Sequence, residues 1–335
     1  MAELVAAEGP ILEQILDSTH TIWHEGLSRP AYLRYNAAQL ATAWGRDHLC
    51  RLALVGPGSR PDVLASAKRY MFDATLDGEL IRVVGLGSVF TQPAHRGRGH
   101  ARELIDRMLE QAAAAGADLA LLFSEIGADY YARLGFEPLV TTDLVVRIAE
   151  SDRHGAPATM VRAGEDRDFA DMVAMGQTRA ARYRFHLNRG RDGVHYAIAK
   201  KRLLAGFGPA GARMVHFFIA EEGASAAAYV VVSVRAHETG DAASGPVWTI
   251  EEAGDRDPSG ARVGAILQGL IARDPGERRP TIKAWPPSGF LPPQVTIIGE
   301  RPSGDVMMVR ALTDRARDIP QLAATDVFYW HGDLF

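Results

Sequence analysis

The stretch that decides the fold is Ser88-Val-Phe-Thr-Gln-Pro-Ala-His-Arg-Gly-Arg-Gly-His-Ala-Arg102. Leading into it, Leu80–Thr91 is an extended apolar segment interrupted by Gly85 and Gly87. Glycines in a strand pattern mark a bulge, or a place where something approaches the backbone closely. Beyond it, Leu104, Ile105, Met108, Leu109 and Ala112 recur at the helical period and predict a helix over Ala101–Ala115. A strand therefore runs through a glycine-rich turn straight into a helix. A helix start leaves its first N–H groups unpaired and carries partial positive charge, so it attracts phosphate. Gly97 and Gly99 let the backbone curl, Ala101 leaves room for close approach, and Arg96, Arg98 and Arg102 add counter-charge.

Upstream, Leu4–Ala7 reads as a strand, Pro10 opens a helix to about Trp23, and a second helix covers about Pro30–Arg46. Cys50–Val55 and Asp62–Phe72 read as strands. Downstream, Leu119–Phe123 is a continuous apolar run typical of a buried strand. A short helix at Ala128–Leu134 stops at Gly135, and Leu144–Ile148 closes the sheet. The polar run Ser151–Pro157 is the linker candidate, dividing the chain into 1–150 and 158–335. The second part repeats the element order without repeating the sequence, which suits a 335-residue chain better than one core.

Composition narrows the classes of function. Hydrophobic residues at 47% and charged residues at 23% describe a globular chain, not a disordered one. A net charge of −4 carries no nucleic-acid signature, and no apolar run is long enough to span a bilayer. Cys50 is the only cysteine, so no intrachain disulfide or zinc cluster can form, and no histidine pattern suggests a metal. The chain start lacks the layout of a signal peptide, so a cytoplasmic location is expected.

Two motifs resemble the GNAT N-acetyltransferase superfamily. Arg96-x-x-Gly99-x-Ala101 resembles its pyrophosphate loop, and Ala128-Asp-Tyr-Tyr-Ala-Arg-Leu-Gly-Phe136 its aromatic-Tyr pair ahead of Gly-Phe. The resemblance covers residues 1–150. It implies an α/β (α+β) fold, a central mixed sheet flanked by helices, with acetyl-CoA as co-substrate and no metal. It further implies that Val89, Phe90 and Thr91 offer strand-edge groups to the pantetheine arm. The pyrophosphate would lie on Arg96, Gly97, Arg98, Gly99, His100, Ala101 and Arg102. Tyr131 matches the general acid, and Ser124 stands where many relatives have Asn.

The general base has two candidates. Glu125 follows the Leu119–Phe123 strand and can act through water, or simply cap the helix that follows. Phe335 is the other, as a chain-terminal carboxylate reaches the active site in some acetyltransferases with extra C-terminal domains.

The second half keeps the order and loses the loop chemistry. At the corresponding place stands Gly254-Asp-Arg-Asp-Pro-Ser-Gly-Ala261, whose Asp255 and Asp257 repel a pyrophosphate and whose Pro258 removes a donor. A degenerate acetyltransferase-like second domain that binds no CoA is expected. Trp285, Phe290 and the Phe328–Trp330 cluster are expected to cover the first domain's open edge.

Ala65–Tyr70, Ser88–Thr91 and Ser124–Gly127 are similar to segments of the fungal-type lysine N6-acetyltransferases. A multi-acetylating, aminoglycoside-type tandem acetyltransferase is the competing comparison. The expected acceptor is a primary amine of a small molecule, lysine or another amino acid among them. The reading from a different class is a non-catalytic acetyl-CoA-sensing module.

Overall fold

The computed structural model describes residues 2–58, 62–139, 141–150, 160–236, 245–274 and 279–335. The linker candidate Ser151–Pro157 lies outside them. The chain forms two compact units. The first comprises Met1–Val140, Gly304–Ala323 and Phe335; the second comprises Thr141–Ser303 and Ala324–Leu334.

In the first unit β1 (Glu3–Ala6) is followed by α1 (Gly9–Trp23), α2 (Arg29–Ala41) and α3 (Ala43–His48). Strands β2 (Leu49–Gly56), β3 (Asp62–Leu76) and β4 (Glu79–Thr91) come next. Then follow α4 (His100–Ala114), β5 (Leu119–Ser124), α5 (Asp129–Ala132) and the short β6 (Glu137–Leu139). The single helix expected over Pro30–Arg46 is in fact two. Thr42 is extended, and its hydroxyl accepts the Gly45 N–H at 3.0 Å, which starts α3 afresh. A threonine that caps competes with its own place in a helix interior.

The second unit runs β7 (Thr142–Ile148), β8 (Met160–Ala163), α6 (Phe169–Ala180), β9 (Phe185–Leu187) and α7 (Arg191–Phe207). It continues with β10 (Arg213–Glu222), β11 (Ser225–Arg235), β12 (Val247–Asp255), α8 (Ala261–Arg273), β13 (Thr281–Ala284) and β14 (Val295–Pro302). Of the last two strands, β15 (Val306–Ala311) belongs to the first unit and β16 (Val327–Phe328) to the second.

The first sheet has the order β1-β2-β3-β4-β5-β15-β6, the second β8-β10-β11-β12-β13-β7-β14. In each, the fourth and fifth strands pair in parallel, and the other neighbours along the order are antiparallel. Along these orders the seven strands correspond one for one, with α4 and α8 each following the fourth strand. One exchange departs from chain order. The sequence reading closes the first sheet with Leu144–Ile148, but that strand lies between β13 and β14 in the second. Its counterpart β15 lies between β5 and β6 in the first. Both strands present the same apolar pattern, so patterning alone does not say which sheet takes which. The packed units accordingly do not divide the chain at 1–150 and 158–335.

The expected apolar face of α4 is buried. Leu104, Ile105 and Met108 pack with Leu54, Val84, Leu86, Leu122 and Met308 on one side of the sheet. Ile15 of α1 packs with Ala53, Val55 and Val63 on the other. In the second unit, Trp248, Ile266, Leu267, Phe290, Phe328 and Trp330 share one core. Phe290, Phe328 and Trp330, expected to cover the first domain's open edge, are thus members of the second unit's core.

Candidate active site

Strand β4 does two jobs along its length. From Val83 to Leu86 it pairs in parallel with Leu119 to Leu122 of β5. That ladder ends there, although β4 runs on to Thr91 and β5 to Ser124. The divergence begins at a bulge: Ser66 faces Phe90 and Lys68 faces Gly87 across the β3 ladder, with Ser88 between at φ +49°. A bulge bends its strand and raises the local twist, which splays β4 from β5.

Alternation sorts the residues of the splayed end. The Gln92 N–H donates to the Leu64 carbonyl at 3.1 Å, so Gln92, and Phe90 two residues back, direct their main-chain groups toward β3. Val89 and Thr91 then direct theirs to the open edge. The Thr91 carbonyl accepts from Arg96 Nε at 3.3 Å.

Past β4, the turn delivers the start of α4. Gly99 is its N-cap in the left-handed region, at φ +83°, and no side chain caps the helix. Gly97 is also left-handed, at φ +76°. A Cβ added at either glycine would meet nothing within 4 Å, so the concave side is open. Arg96, Arg98 and Arg102 flank it in sequence and are exposed, Arg102 lying 3.6 Å from Asp106. His100 and His95 are half-buried with ring centroids 6.0 Å apart, and His95 Nε2 is 3.1 Å from Asp62. The cradle fits a pyrophosphate: unpaired helix amides, no competing side chain and flanking cations.

The second unit provides an internal contrast. Its α8 also starts from a left-handed glycine, Gly260 at φ +70°. There the Asp255 carboxylate is wholly buried and accepts the Arg262 N–H at 2.9 Å and the Asp257 N–H at 2.9 Å. Arg262 Nη1 adds a third bond at 3.1 Å. The protein's own carboxylate thus fills the place an anion would take.

Tyr131 lies on α5, nine-tenths buried, edge-on to Tyr130 and Phe136. Burial, with smaller contributions from Tyr130 and Glu125, pushes its phenol up to about 12. Among the described residues nothing hydrogen-bonds its hydroxyl. Glu125 is exposed, yet partial desolvation and the nearby Asp305 and Glu25 raise its carboxyl above the usual glutamate range. A hydrogen bond from Trp23 opposes that rise. Ser124 is buried and its hydroxyl donates to the Gly127 carbonyl at 2.5 Å, so its proton is used within the turn.

The role of Gly85 and Gly87 becomes clear on the opposite face. The Phe335 ring lies over β4, with Tyr70, Phe72 and Phe123 at centroid distances of 4.7, 5.1 and 5.3 Å. A Cβ on Gly85 would come within 2.7 Å of that ring, and one on Gly87 within 3.5 Å of the Phe335 carbonyl carbon. The glycines are the sequence signal for this contact, and Phe335 is what approaches. The aromatic wall of Tyr70, Phe72 and Phe123 was not legible in the sequence, since single aromatics on separate strands show no spacing of their own. Among the described residues no group of three His, Cys, Asp or Glu is placed to hold a metal, and no helix is long and apolar enough to cross a membrane.

Comparison with known proteins bears on the fold. Residues 28–139 match the family described as acetyltransferase (GNAT) domain. No curated protein matches the chain in sequence. Among solved structures, the GCN5-related N-acetyltransferase from Anabaena variabilis aligns with a TM-score of 0.65 at 12% identity, over 93% of this chain and 73% of that one. The GCN5-related N-acetyltransferase from Kribbella flavida aligns with a TM-score of 0.62 at 17% identity, over 93% and 71%. Saccharomyces cerevisiae N-myristoyltransferase, solved with bound myristoyl-CoA, aligns with a TM-score of 0.55 at 9% identity, over 92% and 82%. Residues 28–139 therefore match a GNAT acetyltransferase domain, and the chain has a GNAT-type fold with a second domain of similar fold.

Proposed function

We propose that the chain is an acetyl-CoA-dependent N-acetyltransferase acting on a primary amine of a small molecule, with lysine and other amino acids among the acceptors. The observation that carries the reading is the contrast between two equivalent helix starts. That of α8 is filled by Asp255, while that of α4 is left uncapped and flanked in sequence by arginines. A protein that closes one anion cradle and keeps the other open reserves the open one for a ligand.

Acetyl-CoA supplies the activated acyl group as a thioester. In this chain, the amides from Gly97 to Arg102 hold the pyrophosphate, with Arg96, Arg98 and Arg102 as counter-charge. The outward groups of Val89 and Thr91 run alongside the pantetheine arm, and their amides are placed to steady negative charge on the carbonyl oxygen. Tyr131 keeps its proton at neutral pH and donates it to the departing thiolate. Glu125, acting through water, accepts the proton of the attacking amine.

The test is acetyl-CoA turnover against a panel of primary amines, followed by thiol release. Thiol release that depends on the amine supports the reading. CoA binding with no turnover on any amine, lysine and aminoglycosides included, would favour an acetyl-CoA-sensing module instead.

A further inference from the structure

A cavity of about 240 Å³ opens in the second unit between α6 and the turn that leads from β12 to α8. Arg179, Arg182 and Arg256 line it, together with Asp255, Met175 and Pro258. Arg179 decides its meaning. The residue is only 8% exposed, and its guanidinium stacks on the Phe290 ring at 3.9 Å from the centroid. Stacking satisfies the face of the guanidinium and leaves the N–H groups in its plane without acceptors. Among the described residues Arg179 has no ion pair and no side-chain hydrogen bond. Arginine does not escape by losing its proton, so its N–H edge, which opens to the cavity, is left to water or to an anion.

The carboxylates nearby are all committed. Asp255 binds Arg262 and two amides, and Asp171 pairs with Arg256 at 2.9 Å. The Tyr183 hydroxyl donates to the Ser288 carbonyl. Arg182, exposed at the cavity, likewise has no ion pair among the described residues. Two uncompensated guanidinium groups thus face one space, whose remaining wall includes apolar Met175 and Pro258.

We propose that this cavity binds a small organic anion, its phosphate or carboxylate end held by Arg179 and Arg182 and its short apolar body against Met175 and Pro258. The volume sits below the roughly 300–1,000 Å³ of a drug-sized ligand site, which excludes a whole coenzyme. The anion does not lie on the start of α8, which Asp255 already fills. The site is independent of the acetyl-transfer reading, since it lies wholly in the second unit.

The full chain is titrated with inorganic phosphate and, separately, with succinate, following arginine Nε–Hε resonances by NMR. Three proteins are compared: wild type, Gly99→Asp and Arg182→Gln. At least one anion should saturate the wild type and shift the Arg179 resonance, with equal affinity in Gly99→Asp, where the first unit's cradle is blocked. Arg182→Gln, an exposed change that spares the fold, should weaken binding about tenfold, as expected for one charge-assisted hydrogen bond. Tighter phosphate than succinate assigns a tetrahedral end, and the reverse a planar one. No saturation with either anion overturns the site. So does unchanged affinity in Arg182→Gln, or loss of binding in Gly99→Asp.

Discussion

On the proposed function, single residues carry two chemical requirements in the first unit, an open anion cradle and a group that keeps its proton. Gly99→Asp addresses the cradle. Aspartate is among the few residues that tolerate the left-handed region, at a cost of about 1–2 kcal/mol, and no atom lies within 4 Å to obstruct its Cβ. The folded variant should lose CoA affinity by at least about tenfold, because its carboxylate repeats what Asp255 does in the second unit. Near-native CoA affinity by calorimetry would refute the cradle. Tyr131→Phe should lower kcat by about 10²–10⁴-fold with CoA affinity unchanged. The sign of the pH dependence also follows. A general acid must be protonated, and burial holds the Tyr131 phenol protonated up to about 12. The rate should therefore climb as the acceptor amine deprotonates and show no descending limb below about pH 10, the ordinary tyrosine value. For Glu125 the sign is opposite: a base works ionised, so its raised carboxyl moves the acid limb of the profile upward from the usual glutamate position. Glu125→Gln should remove that limb, and an unchanged profile would dismiss Glu125 as the base.

Elements explain what the sequence revealed and what it hid. Strand, turn and α4 were legible because an extended apolar run changes to a helical period across Gly97 and Gly99, and local pattern fixes local structure. The short β6 and the break at Thr42 were not, since three residues carry no period and a cap looks like any helix threonine. At the site, the cradle residues and Tyr131 were legible as motif. The outward direction of Val89 and Thr91 depends on a bulge that only the paired strand reveals. Gly85 was flagged by its place in a strand, yet its partner Phe335 is remote in sequence. Gly85→Ala tests that contact, because the new methyl would stand 2.7 Å from the Phe335 ring and 2.8 Å from Phe72. Overpacking of this kind costs about 1–3 kcal/mol and should displace the Phe335 ring. A lowered melting temperature is expected. Wild-type melting would show that the ring has no fixed seat.

At the scale of the whole molecule, the exchanged strands make each unit depend on distant chain. β15 sits inside the first sheet, where Met307, Met308 and Val309 are fully buried between β5 and β6. The segment after it is tied in as well: the Leu312 N–H donates to the Asp118 carbonyl at 2.8 Å, and the Thr313 hydroxyl to the Asp118 carboxylate at 2.8 Å. Arg310 donates to the Leu134 carbonyl at 2.8 Å. Removing one large buried side chain from such a position typically costs about 2–5 kcal/mol. Removing the strand removes three, together with its ladder bonds, against a total domain stability of about 5–15 kcal/mol. A fragment ending at Glu150 should therefore fail to fold, although it contains every residue assigned to the cradle and to acetyl transfer. Restoring residues 304–323 as a separate peptide should recover part of the fold and of CoA binding, because strand pairing and burial of the two methionines drive the association. The full chain should bind one CoA, since Asp255 occupies the second cradle. Circular dichroism melts of the fragment with and without peptide, and calorimetric stoichiometry on the full chain, decide the matter. A fragment of 150 residues that melts cooperatively and binds CoA alone would mean that β15 is dispensable. Two CoA per chain would mean that the carboxylate of Asp255 does not close its site.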